Sequence, residues 1–306
     1  MRFIEPIYRP PLEANSLLIQ ATQSCNWNKC NFCYRDKNYP FMAAKPEEVE
    51  EQLLKLAPLY PPDTPVFLVG SNTFALPYRM LESYLQIINR RIPEHGRVSM
   101  FSRIDAIASK SDEELRKLRE QGLSQLYVGT ENGNDAALAL MNKGHTAAEA
   151  VIQLKRLEKA GIDYVAFYIL GMGGKGTGQQ TALDTAAFFN QLHPRLIGST
   201  GMTVTEGTGA WELRKNGKFE DASEREKIME LKTFLENLRT DTSFNTRHYL
   251  NPLHFHLKNS DTARKEQILA EIDRILNTYS EEELEKAIDR PRMEESCKPE
   301  LLRGTA

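Results

Sequence analysis

The sequence has few cysteines, no long apolar run and no excess of positive charge. Four cysteines in 306 residues, most of them in one short segment, do not resemble a disulfide framework. No apolar stretch approaches the ~20 residues that cross a membrane. The chain does not begin with a charged, then apolar, then small-residue leader. Together these absences predict a cytoplasmic protein that keeps its thiols reduced.

The charge balance argues against a nucleic-acid partner. Lysine and arginine number 39 against 42 aspartates and glutamates, a formal net charge of -3. A protein that binds a long stretch of nucleic acid usually presents a basic face. No appended RNA-binding module is visible either. We therefore expect a small-molecule substrate, with nucleic acid unlikely.

Two patterns alternate along the first two thirds of the chain. Short apolar runs rich in β-branched residues predict buried strands. Amphipathic stretches between them predict helices. The runs lie at 16–22, 65–70, 97–102, 125–130, 164–171 and 195–204. The amphipathic stretches lie at 45–59, 79–92, 111–121, 134–160 and 178–191. Strands separated by helices imply a parallel sheet.

The strand count predicts the architecture. Six strand–helix units up to about residue 204 predict an α/β fold, a partial (β/α)6 barrel of the TIM type, because a complete barrel has eight units. Helical patterns then follow at about 221–240, 262–278 and 280–289. We expect a barrel core over 1–205 and a helical C-terminal extension over 206–306 that covers the barrel.

Three cysteines lie together in the stretch SCNWNKCNFCYRD. Cys25, Cys30 and Cys33 form the pattern CxxxxCxxC, and Cys297 stands alone near the end of the chain. The first predicted strand ends near Thr22, so the three thiols lie in the loop beyond its carboxyl end. In parallel β/α folds that end of the strands carries the active site.

Three local thiols predict a particular kind of iron–sulfur centre. Cysteine thiolates hold iron–sulfur clusters, and three of them on a four-iron cube leave one iron without a protein ligand. Such an iron can bind and activate a small molecule. Two other interpretations remain open: a zinc ion held by three cysteines and a histidine, or buried thiols that bind nothing.

These features resemble the radical S-adenosylmethionine (SAM) enzymes. Their usual signature is CxxxCxxC with an aromatic residue before the last cysteine, and Phe32 stands in that place. This sequence has one extra residue between the first two cysteines, as in a branch with inserted residues. The resemblance implies a 4Fe-4S cluster bound by Cys25, Cys30 and Cys33, with SAM on the open iron.

Two further stretches resemble the SAM-binding segments of that family. LVGSN (68–72) matches a segment whose backbone binds the amino group of the methionine moiety, which suggests Gly70 and Ser71. VGTENGNDAALALMNKG (128–144) matches a segment that contacts SAM through an acidic and a basic residue. The matching residues are Glu131 and Lys143, whose charges suit the ammonium and carboxylate of an amino acid.

The ends of two more strands supply weaker candidates. SRID (102–105) ends the third strand, and the resemblance suggests Ser102 and Arg103 for the SAM carboxylate or ribose. ILGMGGKGTG (169–178) ends the fifth strand, and the family passes this stretch beside the adenine. We therefore include Gly171 among the candidate SAM-binding residues, because the lack of a side chain lets its backbone approach the ligand closely.

The resemblance also implies the reaction and its partners. Such an enzyme cleaves SAM reductively to give a 5′-deoxyadenosyl radical that acts on the substrate, and it draws electrons from a reduced flavodoxin or ferredoxin. Whether it is an oxidoreductase, lyase or transferase stays open. Porphyrin or RNA modification are alternatives, as is a zinc- or cluster-holding barrel with a structural role.

A histidine-rich segment is the candidate for substrate binding. RHYLNPLHFH (247–256) follows the predicted strands and separates two predicted helices. A segment in that position can lie across the open side of the barrel as a lid. His248 and Asn251 are three residues apart and point the same way if the segment turns helically. We expect these two side chains to contact the substrate.

The thiol count gives a direct test. Anaerobic reconstitution should yield about four irons per chain, because three thiolates hold one cube. The variants Cys25→Ala, Cys30→Ala and Cys33→Ala should each lose the cluster, measured by iron content and absorption. Cys297→Ala is the control and should keep it. A loss of cluster in Cys297→Ala would contradict the open-iron interpretation.

Overall fold

In the computed structural model, which describes residues 7–35, 39–251 and 253–287, one sheet of eight strands organises the chain. Its order is β1-β4-β5-β6-β7-β8-β9-β10, and β2 and β3 form a separate antiparallel pair. The strands are β1 (Leu17–Gln20), β2 (Thr22–Gln23), β3 (Met42–Ala43), β4 (Val66–Val69), β5 (Val98–Ser102), β6 (Leu123–Glu131), β7 (Asp163–Leu170), β8 (Leu196–Gly201), β9 (Ser243–Asn245) and β10 (His256–Lys258).

Helices connect the strands and follow them. They are α1 (Pro46–Leu56), α2 (Tyr78–Arg91), α3 (Ile104–Ala108), α4 (Asp112–Glu120), α5 (Asp135–Leu140), α6 (Ala147–Ala160), α7 (Gly178–Phe189), α8 (Gly209–Lys215), α9 (Glu224–Asn237), α10 (Thr262–Thr278) and α11 (Glu281–Ala287). Short 3-10 helices span Pro11–Glu13, Ala57–Leu59 and Thr73–Ala75. Within the described ranges, none of the helices is long and apolar enough to cross a membrane.

The predicted partial (β/α)6 barrel is confirmed. Strands β1, β4, β5, β6, β7 and β8 coincide with the six predicted runs and pair in parallel. Local signals set the helix ends. Ser111 caps α4 by accepting the Glu114 N–H at 3.1 Å, and Gly161 ends α6 with a φ of 72°.

Two differences from the sequence prediction concern its longest helix and the extent of the sheet. The stretch 134–160 forms two helices, because the chain turns between Met141 and Thr146 and Thr146 caps a new helix. The region after residue 205 also contributes strands: β9 pairs in parallel with β8, and β10 pairs antiparallel with β9. Strands of three residues are too short to show an alternating pattern, so they were not predicted.

The two faces of the sheet bury different cores. One face packs against the helices, with side chains such as Ile19, Leu68 and Met100 buried beside helical residues. The opposite face carries a separate aromatic cluster. Phe101 contacts Phe67 at 5.4 Å and Tyr127 at 5.9 Å between ring centroids. Since the helices cover the first face, this aromatic face is the concave side of the partial barrel.

A buried carboxylate closes the amino end of the concave face. Glu13 is fully buried. Its Oε1 accepts hydrogen bonds from Arg97 Nη2 at 2.8 Å, Ser99 Oγ at 2.9 Å and the Tyr127 hydroxyl at 2.6 Å. Its Oε2 accepts from Ser16. One side chain therefore ties the start of β1 to β5 and β6.

This carboxylate should be costly to replace. Glu13→Gln keeps the size of the side chain but turns one acceptor into a donor that faces donors. Breaking a buried charge pair costs about 3 kcal/mol or more. We expect the free energy of unfolding, measured by denaturant titration, to fall by about 3 kcal/mol. Tyr127→Phe removes one hydrogen bond and should cost about 1 kcal/mol. A loss of less than about 1 kcal/mol in Glu13→Gln would contradict the role of Glu13.

Candidate active site

The cysteine loop begins just beyond β1 and lies between β2 and β3. Cys30 is buried, Cys25 and Cys33 are half-buried, and none of the three forms a disulfide. The Cys33 N–H donates to the Cys30 carbonyl at 3.3 Å, so the loop turns tightly between these two cysteines. The loop lies at the carboxyl edge of the sheet, as predicted.

The described residues of this loop, 24–35 and 39–41, have no regular secondary structure, so its backbone is held by other segments. The Asn31 N–H donates to the Met141 carbonyl at 2.9 Å, and its side-chain amide donates to the Leu140 carbonyl at 2.8 Å. The Asn31 carbonyl accepts from Ala210 at the start of α8, at 2.8 Å. The loop is thus fixed between the end of α5 and α8.

A tryptophan strengthens the same junction. Trp27 donates its indole N–H to the Asn142 carbonyl at 3.0 Å, and the Asn142 side chain donates to the Lys29 carbonyl at 3.0 Å. The indole also lies against Gly144, where an added Cβ would come within 2.6 Å of the ring. Gly144 has a φ of 81°, so both the conformation and the space require glycine.

Arg103 connects the cysteine loop to the rest of the site. Its guanidinium donates to Cys30 Sγ at 3.5 Å, to the Lys143 carbonyl at 2.7 Å and to Asp105 Oδ1 at 2.9 Å. Its carbon lies 4.9 Å from the centre of the Trp27 ring. The sequence suggested Arg103 for the SAM carboxylate or ribose. In the structure these three donors hold protein groups instead.

Glu131 and Lys143 bind each other. Lys143 Nζ lies 2.8 Å from Glu131 Oε1, and both residues are buried. Glu131 has a φ of 63°, a strained conformation for a residue with a side chain. The pair lies over Gly129, where a Cβ would come within 2.5 Å of Glu131 Oε1. Lys143 Nζ also lies 5.8 Å from the ring centre of Phe32 in the cysteine loop.

The segment after β4 contacts Arg103 through the side-chain amide of Asn72. Gly70 has a φ of 150°, and a Cβ there would collide with Thr22 Oγ1. Gly70 and Ser71 line a small cleft that reaches Ser24, next to Cys25. Beyond them, Asn72 is buried and accepts from the Arg103 backbone N–H at 3.0 Å.

The polar groups of the other two predicted cofactor residues, Ser102 and Gly171, bond to protein groups. Ser102 is buried, and its hydroxyl donates to the Arg103 carbonyl at 2.9 Å. The Gly171 N–H donates to Glu230 Oε2 on α9 at 2.8 Å, and the Tyr168 hydroxyl donates to Glu230 Oε1 at 2.7 Å. Burial raises the pKa of Glu230 to about 7.

The predicted substrate residues lie in the connection between β9 and β10. His248 Nδ1 lies 3.0 Å from Thr200 Oγ1 on β8. Burial, together with the positive charge of Arg35, lowers the pKa of His248 to about 4, so its ring is neutral at pH 7. Asn251 is buried and donates to the Ser199 and Thr246 carbonyls, both at 2.7 Å. Its amide therefore anchors the connection to β8.

Sequence reasoning missed three residues of this site. Trp27 and Asn72 stood inside quoted motifs, but nothing in a motif shows that they pack against Arg103. His145 lies two residues after the predicted Lys143, beyond Gly144. Burial, with the charges of Lys143 and Arg103, lowers the pKa of His145 to about 3 and keeps it neutral. Its position at the end of the matched segment was the signal that could have identified it.

The residues present fit a three-thiolate cluster with an amino-acid ligand beside it. Three cysteines outside any disulfide share one loop, an arginine N–H reaches the sulfur of one of them, and a carboxylate–ammonium pair lies next to that arginine. In the described part of the chain, no three histidine, cysteine or acidic side chains are grouped to hold a single metal ion. The thiolates of a four-iron cube bind different irons and need not meet at one point.

A comparison with known protein families decides the assignment. The model of the radical SAM superfamily matches residues 19–189, more than half of the chain. This chain belongs to the radical SAM superfamily. The match begins within β1, includes the cysteine loop and ends with α7, so it covers each predicted cofactor residue. The β9–β10 connection lies outside it.

Two relatives illustrate how far the radical SAM likeness extends. An uncharacterised protein of Methanocaldococcus jannaschii is 24% identical over 179 residues, 56% of this chain and 52% of that protein. The solved radical SAM methyltransferase TsrM of Kitasatospora setae is 16% identical, with a TM-score of 0.52 over 65% of this chain and 39% of its own. The chain thus spans about half the curated relative, and the TsrM likeness concerns the fold.

The Glu131–Lys143 pair gives a test of this radical SAM site. Glu131→Gln removes the charge that should bind the SAM ammonium. Losing a charge-assisted hydrogen bond costs about 1.5–3 kcal/mol, roughly ten- to a hundredfold in affinity. SAM affinity, measured by calorimetry on reconstituted protein, should fall by that factor while iron content stays intact.

A nearby carboxylate provides the matched control. Glu149 caps α6 at the surface, where Gln can replace it in the same hydrogen bonds. Glu149→Gln should change neither SAM affinity nor iron content. An unchanged SAM affinity in Glu131→Gln would remove Glu131 from the cofactor site.

Proposed function

We propose that this protein reductively cleaves SAM at a 4Fe-4S cluster held by Cys25, Cys30 and Cys33, and that the resulting 5′-deoxyadenosyl radical acts on a small molecule. One observation carries the proposal. The three cysteines lie on a loop that Arg103 joins directly to the buried Glu131–Lys143 pair. Groups for a cluster and for an amino acid are therefore neighbours, as SAM bound to an open iron requires.

The acidic and basic pair suits the methionine part of SAM. Glu131 offers a carboxylate to its ammonium, and Lys143 offers an ammonium to its carboxylate. Without ligand the two side chains neutralise each other at 2.8 Å. Binding of the zwitterionic amino-acid end exchanges this internal ion pair for two pairs with the ligand, so Glu131 and Lys143 both keep a partner.

When bound, the cluster supplies the single electron that breaks a carbon–sulfur bond of SAM, and SAM supplies the radical carbon that takes hydrogen from the substrate. The chain's own residues hold and shield these groups. Gly70, Ser71 and Gly171 offer backbone at strand ends, and Ser102 lies buried beside Arg103. The aromatic concave face excludes water beneath the site.

The β9–β10 connection is proposed as the substrate lid. The Leu250 carbonyl lies so close to Gly201, at the carboxyl end of β8, that an added Cβ would be 2.3 Å from it. The connection therefore lies at the same edge of the sheet as the cysteine loop. His248 brings a neutral ring to this edge. The concave face below suits a compound with apolar surface.

The reductant and the location are part of the proposal. Cleavage of SAM needs one low-potential electron, which a reduced flavodoxin or ferredoxin can supply. A cytoplasmic location suits free thiols, since a reducing compartment keeps cysteines out of disulfides. Of the predicted extension over 206–306, residues 206–287 are proposed to act with the core as the part that covers the barrel and shapes the substrate pocket; residues 288–306 lie outside the described residues.

The function is tested by product analysis. Anaerobically reconstituted protein with dithionite and SAM should release 5′-deoxyadenosine and methionine slowly even without substrate. Cys30→Ala, which removes one proposed ligand, is the matched control and should release none. An iron-loaded, reduced protein that forms no 5′-deoxyadenosine with any reductant would rule out the proposed function.

The lid gives a separate prediction. His248→Ala should keep iron content and SAM affinity but break the coupling between 5′-deoxyadenosine formation and substrate turnover. Loss of one contact of about 1.4 kcal/mol corresponds to about a tenfold change in that ratio. Asn251→Ala should act in the same direction, because it releases the connection from β8.

An exposed histidine of the same connection serves as the control for the lid. His254→Ala should leave the coupling ratio unchanged, since its side chain lies in solvent. The ratio is measured by quantifying 5′-deoxyadenosine with and without the substrate once that compound is identified. Loss of iron or of SAM affinity in His248→Ala would place His248 in the cofactor site instead.

A further inference from the structure

We propose that Arg103 sets the reduction potential of the cluster by donating a hydrogen bond to the sulfur of Cys30. This inference rests on the proposed function, because it assigns Cys30 as a cluster ligand. It assigns Arg103 a positioning and tuning role that differs from the SAM contact suggested by the sequence. The contact itself is direct: Arg103 Nη1 lies 3.5 Å from Cys30 Sγ.

The guanidinium is held rigidly in place for this contact. Arg103 is 4% exposed. Its Nε donates to Asp105 Oδ1 at 2.9 Å and its Nη2 to the Lys143 carbonyl at 2.7 Å. The Trp27 ring covers one face of the planar group, 4.9 Å away. A planar group fixed at three edges and one face cannot swing away from the sulfur.

The same contacts explain why arginine stands here. A lysine carries one ammonium and cannot reach Cys30, Asp105 and the Lys143 carbonyl along three different directions. A neutral side chain would leave the Lys143 carbonyl without this donor. The backbone N–H of Arg103 is fixed as well, since it donates to Asn72 Oδ1 at 3.0 Å.

A donor at a ligand sulfur changes the redox balance of the cluster. Hydrogen bonds to the sulfurs, net charge and burial set iron–sulfur potentials. A reduced cluster carries one more negative charge than the oxidised one, so an N–H donor and a buried positive charge stabilise it. Asp105 offsets part of that charge, but its side chain is 38% exposed and is screened by solvent. Arg103 should therefore raise the potential.

The test is a potentiometric titration of the reconstituted protein without SAM, followed by electron paramagnetic resonance of the reduced cluster. Arg103→Met removes the hydrogen bond and the charge. We expect its reduction equilibrium constant to fall at least about tenfold, a shift of about 59 mV to lower potential for one electron. Arg103→Lys keeps the positive charge but lacks the planar guanidinium with its several N–H donors. Its reduction potential should also be lower than that of the wild type.

The matched control removes the partner on the other side of the guanidinium. Asp105→Asn keeps the Cys30 contact and takes away one negative charge, so its potential should not fall. A merely structural role for Arg103 would alter stability or iron content in these variants but would leave the potential of the loaded fraction unchanged.

A measurement on the wild type covers the case in which the Arg103 variants do not fold. Protein labelled with ¹⁵N in the arginine guanidinium should show a weak ¹⁵N coupling to the reduced cluster in pulsed resonance spectra. An unlabelled sample is the reference. Absence of that coupling in cluster-loaded protein overturns the inference.

The outcomes separate this inference from the proposed function. A wild type that takes up no four-iron cluster overturns both. A loaded wild type whose potential is unmoved by Arg103→Met overturns the inference alone. The inference is also overturned if Arg103→Lys has the wild-type potential while Arg103→Met has a lowered one. In that case the charge, and not the hydrogen bond, would be responsible.

Discussion

The site depends on how an irregular loop is fixed. The residues from Ser24 to Arg35 form no helix and no sheet ladder, yet they carry three thiols that a single cofactor must find in place. Several of their polar groups bond to other segments, above all to the Leu140 and Met141 carbonyls and to the Asn142 side chain. Because these partners lie at the end of α5 and in the turn that follows it, that turn also brings Lys143 and Gly144 to the cysteines.

Buried charge is the second constraint on this region. Arg103, Glu131 and Lys143 are all removed from solvent, which costs several kcal/mol for each ion unless partners compensate. Each has a partner here, and the partners overlap: Arg103 contacts the Lys143 carbonyl, and Lys143 contacts Glu131. A ligand group that enters beside Glu131 and Lys143 must keep both charges paired, which a group with an ammonium and a carboxylate can do.

The sequence predicted most of the architecture because its signals are local. Six β-branched runs, the cap at Ser111 and the helix stop at Gly161 each act within a few residues, and the family motifs follow the same strands. The short strands β9 and β10 carry no such signal. They form because Phe244 and Leu257 are buried against the existing sheet, a tertiary effect that no window of sequence contains.

The roles of individual side chains were harder to predict than their location. Arg103 was placed correctly at the end of a strand, but its direction follows from Cys30, Asp105 and Lys143, which are distant from one another along the chain. Asn251 was expected to face the substrate, and its amide instead holds backbone carbonyls. A motif identifies a residue type at a position, whereas its hydrogen bonds depend on the whole fold.

The placement of the tryptophans has an optical consequence. The chain has only two, Trp27 within the cysteine loop and Trp211 on α8, beside Ala210, whose N–H donates to the loop at Asn31. Trp27 therefore lies within the proposed cluster site. An iron–sulfur chromophore absorbs broadly where indoles emit, so a bound cluster would quench Trp27. The intrinsic fluorescence of this protein should therefore fall as the fraction of protein with a bound cluster rises.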